Sequence, residues 1–180
     1  FTSKGNAGLG THFRTAMMPM GDRTSAAQAN GFLSYVSIMA TEDNTIIKAS
    51  FPNANGSSNL INIGGVGALP IRVDLMKGES YIFAIEADNS NNVNNRFALF
   101  GALIQSVDED AIEDPTKPIA VTVGSATGTF SSDLTNGGNP AGRDHGLDQI
   151  VPVEKVGHEY IFIRTKGNNS IENVILVADK

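Results

Sequence analysis

The chain reads as an all-β protein, an antiparallel sandwich-like domain with long polar loops, and three observations carry that reading. Short runs rich in Ile, Val, Phe and Tyr recur along all 180 residues, separated by turn-forming clusters. The bias toward Gly (19 residues), Asn, Ser and Thr, with only 18% charged residues, suits short strands joined by polar turns better than helices. Extended segments with a helical period are absent.

Taken in order, strands are predicted near Thr11–Met17, Phe32–Ala40, Thr45–Phe51, Leu60–Ile63, Pro70–Met76 and Ser80–Glu86, then Phe100–Ser106, Ile119–Gly124, Glu159–Thr165 and Asn173–Ala178. Each shows at least partial alternation of apolar and polar residues, the signature of a half-buried strand. Thr41-Glu42-Asp43-Asn44 lies between two of these runs. Asp and Asn bond their own backbone and tolerate left-handed geometry, so a tight hairpin is expected there. Lys77-Gly78-Glu79 is expected to form a second hairpin turn by the same logic. Asp108–Asp114 (DEDAIED) is the one stretch able to form a helical turn, ended by Pro115 and Pro118. Asp88–Asn95 and Gly128–Gly146 are too polar for core and read as loops.

Composition bounds the function. A net charge of -6 lacks the basic footprint of a nucleic-acid binder. No apolar run reaches the eighteen or so residues of a membrane span, and FTSKGNAGLG has no signal-peptide pattern, which places any export signal upstream of Phe1. With no cysteine, the chain must rely on a sizeable core, as a cytosolic protein or a secreted bacterial one can.

The two ends rhyme. Gly10-Thr11-His12-Phe13-Arg14 matches Gly157-His158-Glu159-Tyr160-Ile161, and Val36–Thr41 matches Val174–Asp179 in the same order. Such Gly-x-x-aromatic and five-residue apolar patterns also arise by coincidence, whereas a true repeat divides the chain into a unit over 1–156 and the start of a second over 157–180, packed on or completing the first.

Several motifs together resemble the IgGFc-binding protein N-terminal domain family. They are Ser3-Lys4-Gly5 leading to Gly10-Thr11-His12-Phe13; Ile38–Thr45 (IMATEDNT); Val73–Tyr81 (VDLMKGESY); Phe100–Ser106 (FGALIQS); Lys117–Val121 (KPIAV); and Asp148–Val153 followed by Gly157–Tyr160. The resemblance covers most of the chain, although the acidic stretch around Asp108–Asp114 and the Gly-rich Thr135–Gly146 match none of its motifs. It implies a β-rich binding or scaffold domain at the cell surface, of the kind found in large gliding-associated adhesins of Bacteroidota. It brings no ligand and no active-site residues.

Candidate sites are few. Arg143, Asp144, His145 and Asp148 could gather an imidazole and two carboxylates in one polar loop, as a ligand site or, through Asp144, His145 and Asp148, as a hydrolase; the plainer alternative is a solvated turn. Asp108, Glu109, Asp110 and Asp114 offer carboxylate oxygens to calcium, though their spacing fits no EF-hand loop and a solvated acidic face serves equally. Gly64-Gly65-Val66-Gly67 lacks the Lys-Ser/Thr of a phosphate loop. His12 and His158 stand next to aromatic strand residues and are read as structural.

The expectation is therefore a non-catalytic adhesion or display module of a large secreted surface protein, needing no cofactor. Its expected partners are neighbouring domains of the same chain or other surface proteins. The alternative is a carbohydrate-binding module acting through the 88–95 and 128–146 loops.

Overall fold

The computed structural model describes residues 3–20, 33–53, 60–61, 70–86, 97–128, 144–157, 159–161 and 175–179. Ten strands run along them: β1 (Leu9–Gly10), β2 (His12–Arg14), β3 (Leu33–Ala40), β4 (Thr45–Ser50), β5 (Leu60–Ile61), β6 (Ile71–Leu75), β7 (Ser80–Glu86), β8 (Leu103–Val107), β9 (Ile119–Gly128) and β10 (Asp144–Gln149). Short 3-10 turns occupy Gly5–Gly8 and Val153–Lys155.

The strands form two antiparallel sheets. One has the order β1-β9-β3-β7-β5, with β10 beside β9, and the other the order β2-β8-β4-β6. From β1 to β9 every strand lies in the opposite sheet from its predecessor, so consecutive strands face each other across the core. β9 and β10 alone follow one another within a sheet among the described residues. The long β9 makes this possible, because β1 covers its start (Leu9 opposite Ala120) and β10 the rest (Gln149 opposite Thr122).

This topology corrects both hairpins expected from the sequence. Thr41–Asn44 carries the chain from β3 in one sheet to β4 in the other, and Lys77–Glu79 carries it from β6 back to β7. The turn chemistry itself is as expected, with Asn44 at φ 55 and Gly78 at φ 80. The two corners are tied side by side: the Gly78 amide donates to the Ala40 carbonyl at 2.9 Å, and the Lys77 amide to the Asp43 carboxylate at 3.0 Å. A third corner joins them, since the Thr41 hydroxyl donates to the Pro118 carbonyl and Lys117 to the Asp43 carbonyl.

The helical turn expected over Asp108–Asp114 is also replaced. The Asp108 carboxylate accepts the Asp110 and Ile112 amides at 3.0 and 2.9 Å, local bonds that compete with helix. Ala111 takes φ 63, and the chain reverses so that Glu113 bridges back to Val107.

Strand limits shift elsewhere. Thr11 separates β1 from β2, and Thr15–Met17 leaves the ladder. Of the two C-terminal strands expected, the described residues 159–161 and 175–178 carry no ladder. Tyr160 and Ile161 stand exposed, whereas 175–179 keeps a period-two burial with Ile175 packed on the core. β10, whose polar composition reads as loop, is a strand because β9 offers it an edge.

The core lies between the sheets. β3 buries Ser34, Val36, Ile38 and Ala40 and turns Tyr35, Ser37 and Met39 outward, the alternation that a pleated strand imposes. Phe13, Phe51, Phe83, Ile47, Ile104, Ile119 and Val121 are fully buried with them. Phe83 meets Phe51 edge-on at 5.0 Å between ring centroids and Tyr81 at 4.9 Å, a geometry that aromatic quadrupoles favour.

Candidate functional site: two unlike outer faces

Register fixes which side chains share each outer face. On the β3–β9 sheet, cross-strand pairing aligns three rows. Ser80, Met39, Ala120 and Leu9 form the first; Ile82, Ser37, Thr122 and Gln149 the second; Ala84, Tyr35, Gly124 and Leu147 the third. None of these twelve residues is charged. Met39, Ile82 and Leu147 are 42%, 47% and 39% exposed, so large apolar groups stand in water along this face.

The rows are not smooth. A hollow of about 410 Å³ opens over the first two, lined by Leu9, Ser37, Met39, Ser80, Thr122 and Gln149 among others. The Gln149 Oε1 accepts the Lys4 amide at 2.7 Å and the Ser3 hydroxyl at 3.3 Å, which pins the N-terminal segment along the rim. In the third row the Tyr35 ring lies across β9, where a Cβ on Gly124 would come within 2.5 Å of its Cζ and Oη. Glycine at 124 is what lets the ring lie down on the sheet. Partial burial there pushes the Tyr35 hydroxyl above its ordinary value.

The opposite face has another character. His12, Gln105, Lys48 and Arg72 form one row across β2, β8, β4 and β6, with Arg14 and Asp74 beside it. Its charges are largely engaged within the chain. Arg72 pairs with Asp74 at 3.0 Å and Glu109 at 3.1 Å, while Asp179 receives Arg14 at 2.9 Å and lies 2.8 Å from His12. The C-terminal segment is thereby fastened to β2, and Arg14 also donates to the Asp179 and Gly101 carbonyls. Arg14 foremost, then His12, holds the Asp179 carboxyl below the ordinary carboxylate range. Glu113 lies 3.8 Å from the other ring nitrogen of His12 and accepts the Thr11 hydroxyl.

Of the residues singled out from the sequence, only some fall among the described residues. Arg143 lies outside the described residues, as do His158, Gly64–Gly67, the 88–95 loop and most of the 128–146 loop. Asp144 begins β10, His145 is exposed, and Asp148 pairs with Lys4 at 3.2 Å on the surface. Glu109 is taken by Arg72, Asp110 is exposed, and the Asp108 carboxylate is turned onto its own backbone. The Asp114 carboxylate accepts the Thr116 amide and hydroxyl at 2.9 and 2.6 Å, which lowers its pKa. Among the described residues no group of three or more His, Cys, Asp or Glu side chains is placed to hold a metal ion.

Sequence reasoning missed the Asp179 clasp and the uncharged face. The clasp joins residues at opposite ends of the chain, and no local pattern announces it. The face was half visible, since Leu33–Ala40 and Ile119–Gly124 alternate apolar residues with small uncharged ones.

Fold and site together define a two-sheet β module built to present a surface. The chain belongs to the IgGFc binding protein family, whose model matches residues 2–180. No curated protein and no solved structure matches it. No helix among the described residues is long and apolar enough to cross a membrane.

Proposed function

We propose that the chain is a non-catalytic binding or display module of a larger cell-surface protein, exposed outside the cell. The observation that carries this reading is the uncharged outer face of the β3–β9 sheet, open while the opposite face is occupied by the protein's own ion pairs and C-terminal segment. Membership of a family described by what it binds supports it. Its partners are neighbouring domains of the same chain or other surface proteins. Residues 1–156 serve as one unit and 157–180 as the start of a second, packed on or completing the first, a division supported by the rhyme of the two ends.

Antibodies raised against the purified chain provide the test. Intact producing cells are expected to bind them without permeabilisation, and the full gene is expected to continue into further β-rich units. Labelling that requires lysis contradicts the display reading.

A further inference from the structure

The uncharged face carries polar groups that the fold leaves unused. The hydroxyls of Ser37, Ser80 and Thr122 make no hydrogen bond among the described residues, whereas Gln149 is buried at the rim, its Oε1 held by Lys4 and Ser3. All four line the same hollow. Along the second row, Ser37, Thr122 and Gln149 succeed one another on adjacent strands, one strand spacing of about 4.8 Å apart. That interval is close to the length of one pyranose unit. Beside the row lies Tyr35, flattened over Gly124, with the exposed Leu147 in its own row and Ile82 in the next.

We propose that this face is a binding site for a neutral oligosaccharide. Tyr35 acts as the plate on which a sugar ring stacks, and Ser37 and Thr122 as the pair that hydrogen-bonds its hydroxyls, with the buried Gln149 closing the row. A sugar presents apolar C–H faces and polar edges, and this surface offers an aromatic plate next to hydroxyl and amide groups. No cation stands among the twelve aligned positions, the next outward residue of β7 is Glu86, and the Lys4 beside the hollow is paired with Asp148, so a neutral ligand fits better than an anionic glycan or phosphate. The hollow, about 410 Å³, has the size of a small-ligand cleft. A purely apolar protein patch fits less well, since it would strip water from three hydroxyls and return nothing to them. The site deepens the binding-module reading and rests on it.

The test screens purified chain on a printed array of neutral hexose and N-acetylhexosamine oligomers beside sialylated and sulfated glycans. Neutral oligomers are expected to be retained. Titration with the best of them should then show Thr122→Val and Tyr35→Leu each weakening binding about tenfold, the loss of one hydrogen bond or one stacking contact. Tyr35→Phe, which keeps the ring, should lose less than Tyr35→Leu, and Lys48→Ala on the opposite face should bind as wild type. The near-isosteric Thr122→Val keeps the test decisive if Tyr35→Leu unfolds. Retention of acidic glycans alone, of no glycan, or binding indifferent to both Thr122→Val and Tyr35→Leu overturns the proposal. Intact-cell labelling reports separately, so an empty array with labelled cells removes the sugar site and leaves the display reading standing.

Discussion

Asp179 receives Arg14 and His12 from a strand at the other end of the chain, and Arg14 foremost, then His12, holds its carboxyl below the ordinary carboxylate range. A carboxylate whose pKa is lower in the folded than in the unfolded chain contributes stability above its unfolded pKa and loses it as pH falls through the folded value. Urea unfolding of wild type and Asp179→Asn should therefore show wild type losing more stability between about pH 5 and pH 3. Parallel acid limbs would mean that the clasp contributes nothing. At this scale the sequence was readable where a residue acts locally. Asn44 and Gly78 adopt the left-handed geometry that their types suggest. Asp108 and Asp114 bond their own backbones in the plain manner of Asp in turns. Arg14 and Asp179 are unremarkable in sequence, and only tertiary structure makes them partners.

At the scale of elements, existence was easier to read than pairing. β3, β4, β6 and β7 fall close to where alternation places them, yet each turn joins strands of different sheets, because a turn residue fixes a reversal and not the neighbour that follows. β10 was missed because Asp, His and Gly dominate it, and its ladder to β9 comes from tertiary context. β6 pairs with β4 alone among the described strands and is the last strand in the described order of its sheet. It is flanked by Pro70 and carries the exposed Arg72 and Asp74, devices that discourage edge-to-edge association. The double variant Arg72→Val/Asp74→Val should accordingly form dimers or larger species in sedimentation velocity at concentrations where wild type is unchanged. A variant that sediments as wild type would show that these charges do not guard the edge.

For the whole molecule, the alternation of sheets from β1 to β9 turns a chain of short, ordinary strands into two surfaces of opposite character. One surface is charged and engaged with its own chain, and the other is uncharged over its three central rows and exposes Met39, Ile82 and Leu147. The all-β class was legible from composition and periodicity, and family membership from the order of its motifs. The faces were not, because a strand pattern tells in from out without telling which strands align. The absence of cysteine allows a direct test, since a single introduced thiol reports its own exposure. Ser80 belongs to the first row of the open face, whereas Ser106 on β8 is fully buried. Maleimide labelling of Ser80→Cys and Ser106→Cys in the native protein should modify the first promptly and the second only after unfolding. Equal protection of both thiols would contradict the open face on which this account rests.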